Sequence, residues 1–261
     1  MSELKKINLP FLETIKRSFL YVIFNGNTFL KVSFIGLVIL IFEALSGFPM
    51  MCSLNPQNCS KNNIQLVSNL LIFLISAAVI INYCRAVVLK SAPDYMSLGF
   101  LRRISKYILV MLSLSFAIIV VAVLASLIFR MIGNIDGNVI YLVSAALGLI
   151  LVVCMSPIFL YLAAIAIDNN ELSIRQYFIL SRGNYNKIFW GQTLLMFPGV
   201  ILMFFISAIY QLYPAEEFIG KLVYTIFLVV ASLFDTCVKG SFFAHIYQYF
   251  IFYKNKQDDI V

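Results

Sequence analysis

Residues 139–167 read VIYLVSAALGLILVVCMSPIFLYLAAIAI, an apolar run of 29 residues that contains no charged side chain. A helix of about 20 apolar residues crosses the roughly 30 Å hydrocarbon core of a bilayer, so this run is long enough to span a membrane. Its extra length requires tilt or a kink, and Pro157 within it is a candidate for the kink. The run therefore predicts a transmembrane helix.

Five further stretches have the same character, and the six together lie at residues 28–48, 64–84, 107–129, 139–167, 188–213 and 222–238. The whole chain of 261 residues is 62% hydrophobic and 12% charged, against about 25% charged residues in soluble proteins. No polar stretch approaches the roughly 50 residues of a second folded domain. The sequence therefore predicts an all-α polytopic membrane protein, with six transmembrane helices in a single integral-membrane domain over residues 1–261.

Lysine and arginine side chains are distributed unequally between the two predicted sides of the membrane. All but three of the 19 lie on the side that carries both termini, the exceptions being Lys61, Arg130 and Lys221. Because basic residues favour the cytoplasmic side, the bias predicts cytoplasmic N- and C-termini. It also accounts for the net charge of +7, so we expect anionic lipid headgroups as partners at the cytoplasmic face, and no nucleic acid.

A basic, amphipathic cytoplasmic segment precedes each pair of spans, which divides the chain into three hairpin-like repeats. The first segment, residues 9–24, carries an apolar stripe formed by Leu12, Ile15, Phe19, Val22 and Ile23. In the second, Leu98 and Leu101 lie on one helix face and Arg102 and Arg103 on another; the third, residues 172–182, is less regular. We interpret these segments as interfacial helices in the inner headgroup layer, the alternative being cytoplasmic extensions of the spans.

Two of the five cysteines, Cys52 and Cys59, share the first predicted outer loop. The residues between them, including Asn55-Pro56, allow the two thiols to meet as a disulfide in an oxidising compartment. The alternative is a pair of free thiols, and the sequence leaves both open.

Ionisable residues within a span cost about 2.5–3.5 kcal/mol on insertion scales and are therefore functional hypotheses. Glu43 lies in the outer third of the first span, where it is either protonated in the bundle interior or within reach of the outer interface. Asp235 and Lys239 stand four residues apart, a spacing that permits an ion pair on one helix face. The pair either faces a cavity or places Lys239 as an interfacial anchor at the end of the last span.

Pro157 and Pro198 interrupt the fourth and fifth predicted spans. Kinked spans at comparable depth can open a cavity of the kind found in transporters, although prolines are also ordinary in transmembrane helices. The last span is followed by an aromatic and basic tail, residues 239–261.

Catalytic signatures are sparse. His245 is the only histidine, which excludes a histidine metal site, and no GxSxG, P-loop or GxGxxG motif occurs. Asp168 and Glu171 lie at a cytoplasmic edge, where Asn169 and Ser173 indicate helix-end and helix-start capping. We therefore expect no enzymatic activity and no cofactor.

Two features together resemble a known family. Gly-Asn-…-Lys entrances, as in Gly183-Asn184-Tyr185-Asn186-Lys187, precede hairpins of a six-span bundle, and Ala244-His245-Ile246-Tyr247-Gln248 closes the last one. The chain resembles the YciC-type bacterial inner-membrane proteins and the related membrane domain of some glycerophosphodiester phosphodiesterases. The resemblance implies an inner-membrane location and a link to envelope or lipid homeostasis. It implies no catalytic residues, and no phosphodiesterase domain is present to carry that activity.

These observations favour a non-enzymatic accessory or structural membrane protein, which acts through lipid or membrane-protein contacts on its basic inner face. The alternative is a small transporter or lipid-handling permease that uses Asp235, Lys239 and Glu43 in a cavity between kinked spans.

Overall fold

The computed structural model describes residues 8–45, 62–132, 137–169, 171–212 and 218–258. Within these ranges the chain is helical and has no β-strand, as the sequence predicts. The helices of the described ranges are α1 (Phe11–Phe24), α2 (Gly26–Leu45), α3 (Asn62–Leu89), α4 (Leu98–Ile132), α5 (Gly137–Met155), α6 (Ile158–Ala166), α7 (Ile174–Leu180), α8 (Tyr185–Leu212) and α9 (Phe218–Asp258).

Four stretches within these helices are long and apolar enough to cross a membrane: Asn69–Leu89, Leu98–Val121, Tyr185–Ile206 and Val223–Tyr253. Two bent helix pairs also pass the same test of length and composition, namely α1 with α2 and α5 with α6. The described chain therefore has four candidate spans, or up to six if each bent pair counts as one.

The two bends have identifiable causes. α1 and α2 meet at 79° around Asn25, whose side-chain amide donates to the carbonyl of Tyr21 at 2.8 Å and so caps the end of α1. α5 and α6 meet at 45° at Ser156 and Pro157. Proline has no N–H to donate to the carbonyl four residues earlier, so the helix is interrupted where the kink at Pro157 was expected.

The three amphipathic segments do not behave alike. The first forms α1 and the third forms α7, whose start is fixed by a capping box between Ser173 and Gln176. The second is not a separate helix, because α4 runs without interruption from Leu98 through the predicted span to Ile132. For the second segment the extension of a span is therefore the correct alternative.

The helix α9 is central to the bundle and packs against α1, α2, α3, α6 and α8. The helix that contains the last predicted span does not end at residue 238, because α9 continues to Asp258 and its candidate membrane stretch runs from Val223 to Tyr253. Its continuation supplies buried side chains, among them Phe242, Ala244, Ile246, Tyr247 and Phe250. Polar residues lower the mean hydropathy of the stretch after residue 238. They form hydrogen bonds within the bundle, as Tyr247 does by accepting from the side-chain amide of Asn169 at 2.7 Å.

Large apolar side chains also cover the outside of the bundle. On α4 and α8 the exposed ones include Leu109, Leu112, Phe116, Ile119, Leu194, Phe197, Val200, Ile201 and Phe204. An apolar surface of this extent is unfavourable in water and suits contact with lipid chains. The outer surface is therefore compatible with membrane insertion.

The helix α1 packs through a face that coincides only in part with its apolar stripe. Its buried residues are Thr14, Ser18 and Val22, spaced by four, whereas Leu12 is 74% exposed and Ile23 is also exposed. Small side chains at this contact let α1 and α9 approach closely, as is usual between helices in membranes. Of the apolar stripe, Ile15, Phe19 and Val22 pack against the core, and only Leu12 and Ile23 face away from it.

Candidate functional site

Hydrogen bonds and ion pairs concentrate at one end of the bundle, formed by residues 8–32, 82–106, 164–187 and 245–258. We call this region the basic end, because its lysines and arginines outnumber its carboxylates. Its basic residues are Lys16, Arg17, Lys31, Arg85, Lys90, Arg102, Arg103, Lys106, Arg175, Arg182, Lys187, Lys254 and Lys256. The polar contacts of this end tie together segments that are distant in sequence.

Arg103 is the centre of a charged cluster at the basic end. Its side chain is 4% exposed and forms ion pairs with Asp168 at 2.6 Å and Asp94 at 2.7 Å. Arg85 approaches Asp168 at 3.6 Å and donates to the carbonyl of Ala166 at 3.3 Å. The cluster thereby joins the end of α3, the loop 90–97, the start of α4 and the end of α6.

Asp168 occupies a backbone position that glycine usually fills. It has a φ of 59°, and the N–H of Asn169 donates to the carbonyl of Ala164 at 3.0 Å. This is the Schellman arrangement at a helix C-terminus, so the helix-end capping expected from the sequence is present. A non-glycine residue is strained here, and the ion pair with Arg103 is a reason for an aspartate at this position.

Asp94 organises the loop between α3 and α4. It accepts hydrogen bonds from the hydroxyl and the N–H of Ser97, and its own N–H donates to the Asn82 side chain at 2.8 Å. The hydrogen bonds from Ser97, followed by the ion pair with Arg103, lower the pKa of the Asp94 carboxyl against the opposing effect of desolvation. The carboxylate is therefore held in its charged form, which these donors require.

The same loop is attached to α2 through Tyr95. The Tyr95 hydroxyl donates to the carbonyl of Val32, and its ring packs edge-to-face against Phe100 at 5.8 Å between centroids. With Asp94 bonded to Asn82 on α3, the loop is held on both sides.

The N-terminal segment is hydrogen-bonded to residues at the start of α8 and near the end of α9. The N–H of Leu9 donates to the side chain of Asn184 at 3.0 Å, and Lys187 donates to the carbonyl of Leu9 at 3.1 Å. The Tyr249 hydroxyl donates to the carbonyl of Asn8 at 2.7 Å. Asn184 and Lys187 belong to the Gly-Asn-…-Lys motif, which therefore serves here as an anchor for the start of the chain.

Two surface clefts lie at the basic end. One, of about 410 Å³, lies between α1 and the end of α9 and includes Glu13, Arg17 and His245. The other, of about 500 Å³, lies between the α1–α2 bend and the end of α3 and includes Lys31 and Lys90. We call the second one the Lys31–Lys90 cleft.

Comparison of the chain with protein-family models, with curated proteins and with solved structures finds no match. The resemblance to YciC-type proteins therefore stays a prediction.

The structure contains the ion pair between Asp235 and Lys239, with 2.5 Å between the charged atoms. Their side chains are 11% and 19% exposed, and Asp235 packs against Gly199 of α8, where a Cβ would lie 3.0 Å from the carboxylate. One Asp235 carboxylate oxygen, Oδ1, is buried and has no partner among the described residues. Lys239 lies near the middle of the apolar stretch Val223–Tyr253, so it does not mark the end of α9.

The two proline positions do not share a depth in the bundle, contrary to the expectation. The hydroxyl of Ser156, next to Pro157, donates to the carbonyl of Tyr185 at the start of α8, at 3.0 Å. Pro198 lies 13 residues further along α8, which corresponds to about 20 Å of helix. Pro198 lies inside α8, which continues from Tyr185 to Leu212, so of the two prolines only Pro157 interrupts a helix.

The remaining predicted site residues are Glu43, Cys52 and Cys59, and they lie at or beyond the limits of the described residues. Glu43 belongs to the last turn of α2, and its side-chain surroundings lie outside the described part. Cys52 and Cys59 both fall outside the described residues, so the choice between a disulfide and free thiols stays a prediction.

Sequence reasoning missed the Arg103 cluster, because it placed Arg103 with Arg102 on the polar face of an interfacial helix. Leu98 is 85% exposed, whereas Arg103 is almost fully buried. Pro93-Asp94 followed by Ser97 at the start of a helix was an available signal, because the Ser97 hydroxyl accepts from the free N–H of Phe100 and itself donates to Asp94. Nothing local indicated Asp168 as a partner, since it is 65 residues away from Arg103.

Proposed function

We propose that this chain is a six-span protein of the cell inner membrane, with both termini in the cytoplasm. It acts there without catalysis, as an accessory or structural protein in envelope or lipid homeostasis. Its basic end contacts anionic lipid headgroups and presents a surface to a membrane-protein partner. The six-span count rests on taking each bent helix pair as one span, and the location rests on the resemblance to YciC-type proteins.

The observation that carries the proposal is the separation of charge and apolar surface. The charged residues of the described chain concentrate at the basic end, while the outer faces of α4 and α8 carry bulky apolar side chains. Anionic lipids attract basic residues near the membrane surface, by about 1 kcal/mol for each lysine or arginine. An end that is rigid and basic is suited to bind headgroups or an acidic partner.

Extraction of the protein into native lipid particles tests this function. Mass spectrometry should find anionic phospholipids enriched over the bulk membrane composition, and a stoichiometric membrane protein would identify the process. Lipids in the bulk proportions without any protein partner would contradict the proposal.

The transporter remains a second candidate because of the Asp235–Lys239 pair. A carboxylate oxygen without a partner among the described residues, next to a helix that contains a proline, is a place where a proton or cation can bind. Neither described cleft includes this pair, which is why we rank the carrier second. Solute uptake by proteoliposomes that is lost in Asp235→Asn and retained in wild type would favour it.

A further inference from the structure

Lys90 has a strained backbone conformation that no contact within the described chain explains. Among the described residues, only Lys90 and Asp168 combine a side chain beyond glycine with a positive φ, at 53° and 59°. Both end helices at the basic end, and Asp168 is accounted for by Arg103. Lys90 forms no ion pair within the described residues, although glycine would occupy the position at lower cost.

The strained lysine lines the Lys31–Lys90 cleft. Lys31 on α2 is the second cation there, and it too has no carboxylate partner in the described part of the chain. The volume of about 500 Å³ falls within the range of about 300–1,000 Å³ typical of ligand pockets. Two lysines without an ion-pair partner in the described ranges make the cleft attractive to an anion.

Hydrogen-bond donors of the cleft are unused as well. The Ser91 hydroxyl is buried and has no partner among the described residues, and Thr28 lies in the cleft without a side-chain hydrogen bond to any of them. The 20-residue helix α2 begins at the cleft, with Thr28 in its first turn. The first N–H groups of a helix lack partners, and they favour a phosphate at that end.

The walls of the cleft are preformed. Tyr95 attaches the loop 90–97 to α2, Asp94 attaches it to Asn82 on α3, and Tyr21 on α1 donates to the carbonyl of Ala86 at 3.5 Å. A ligand therefore does not have to order these segments, which lowers the entropic cost of its binding.

The face of α2 that carries Lys31 continues as exposed apolar surface. Phe34, Ile35 and Val38 follow Lys31 by three, four and seven residues, so they share its face of the helix, and all three are exposed. The hydrocarbon chains of a molecule whose phosphate lies at Lys31 could contact these three side chains. A lipid fits this surface better than a soluble phosphate does.

We propose that the Lys31–Lys90 cleft binds the phosphate group of an anionic phospholipid, whose acyl chains lie along Phe34, Ile35 and Val38. Lys31 and Lys90 neutralise the charge, while Ser91, Thr28 and the start of α2 donate hydrogen bonds. This site deepens the proposed function and rests on it, since it assigns the headgroup contact to one place.

Native mass spectrometry of the detergent-purified full chain tests the site, with phosphatidylglycerol as the probe and phosphatidylcholine as the zwitterionic comparison. Wild type should retain one phosphatidylglycerol through activation that strips other lipids. Lys31→Gln and Lys90→Gln should each weaken that binding about fivefold, and the double variant about thirtyfold, as about 1 kcal/mol per lysine predicts. Lys16→Gln, an exposed lysine on α1 outside the cleft, is the matched control and should bind as wild type does.

Lys90→Gly separates binding from folding. Glycine relieves the positive φ, so this variant should unfold at or above the wild-type temperature and still bind the lipid about fivefold more weakly. Equal lipid retention in wild type, Lys90→Gly and the double variant would overturn the site. Displacement of the lipid by millimolar inorganic phosphate, with equal stabilisation by phosphate alone, would overturn the lipid assignment in favour of a soluble phosphate.

The site and the proposed function fail differently. If native lipid particles of Lys31→Gln/Lys90→Gln keep the general enrichment in anionic lipid, the function stands and only the cleft is wrong. If wild-type particles show no such enrichment, the function itself is contradicted.

Discussion

Arg103 shows how a single buried charge organises the basic end. Its guanidinium spans two carboxylates that belong to different segments, the loop 90–97 and the turn after α6. A planar guanidinium can donate to both at once, which the single ammonium of lysine cannot do with the same geometry. The two carboxylates are themselves 30% and 48% exposed, so water compensates part of any loss.

Arg103→Met should lower the free energy of unfolding by about 1–3 kcal/mol, less than the 3–5 kcal/mol of a fully buried pair, because Asp94 and Asp168 stay partly hydrated. Unfolding by SDS in mixed micelles measures the change. Arg102→Met is the control, since Arg102 is the exposed neighbour on the same helix and should change stability by less than about 0.5 kcal/mol. Equal effects of the two substitutions would show that the cluster does not stabilise the fold.

The lowered pKa of Asp94 predicts a pH dependence. A carboxyl whose pKa is lower in the folded state contributes stability that is present above its unfolded value, near 4, and is lost as the pH falls through the folded value. Thermal unfolding of the wild type should therefore become easier below about pH 4. Asp94→Asn should flatten this dependence, and an unchanged slope in that variant would refute the role of Asp94.

At the scale of helices, close contacts with α9 depend on glycines. A Cβ at Gly191 on α8 would lie 2.4 Å from the buried ring of Phe242, and one at Gly240 would lie 3.2 Å from the carbonyl of Ile80 on α3. By contrast, a Cβ at Gly148 on α5 would meet nothing within 4 Å. Small residues thus mark which faces of the helices approach one another.

Gly191→Ala should lower the free energy of unfolding by about 1–2 kcal/mol, because overpacking against Phe242 exceeds the gain in helix propensity. Gly148→Ala gains the same propensity without the clash and should be neutral or more stable by up to about 1 kcal/mol. The two variants are compared by SDS unfolding under identical conditions. A destabilised Gly148→Ala beside an unaffected Gly191→Ala would reverse the assigned packing.

The amphipathic segments illustrate why helices were easier to predict than their packing faces. The apolar stripe of α1 is only partly buried, and Leu98 and Leu101 at the start of α4 are exposed, whereas Thr14, Ser18 and Arg103 are buried. In a bilayer the surroundings are as apolar as the bundle interior, so hydrophobicity does not select the inner face. Small and paired polar residues select it through contacts with residues far away in sequence.

At the scale of the whole molecule, the proposed orientation places the basic end in the cytoplasm. Lys16 is exposed on α1 at this end, and Asn134 lies in a predicted outer connection outside the described residues. In a cysteine-free background, Lys16→Cys should react with an impermeant maleimide in inverted vesicles and not in intact cells, and Asn134→Cys should do the opposite. Labelling of Lys16→Cys from outside intact cells would refute the orientation.

The sequence by itself determined the helical class, the apolar segments and the excess of positive charge at one set of connections. Each of these depends on local composition, as do the interruption at Pro157 and the capping box at Ser173. Only the tertiary structure decided that α9 continues past residue 238 into the core, and that Arg103 meets Asp168. Polar residues lower the local hydropathy of a helix, and only partners from other segments reveal that the same residues can be satisfied inside the bundle.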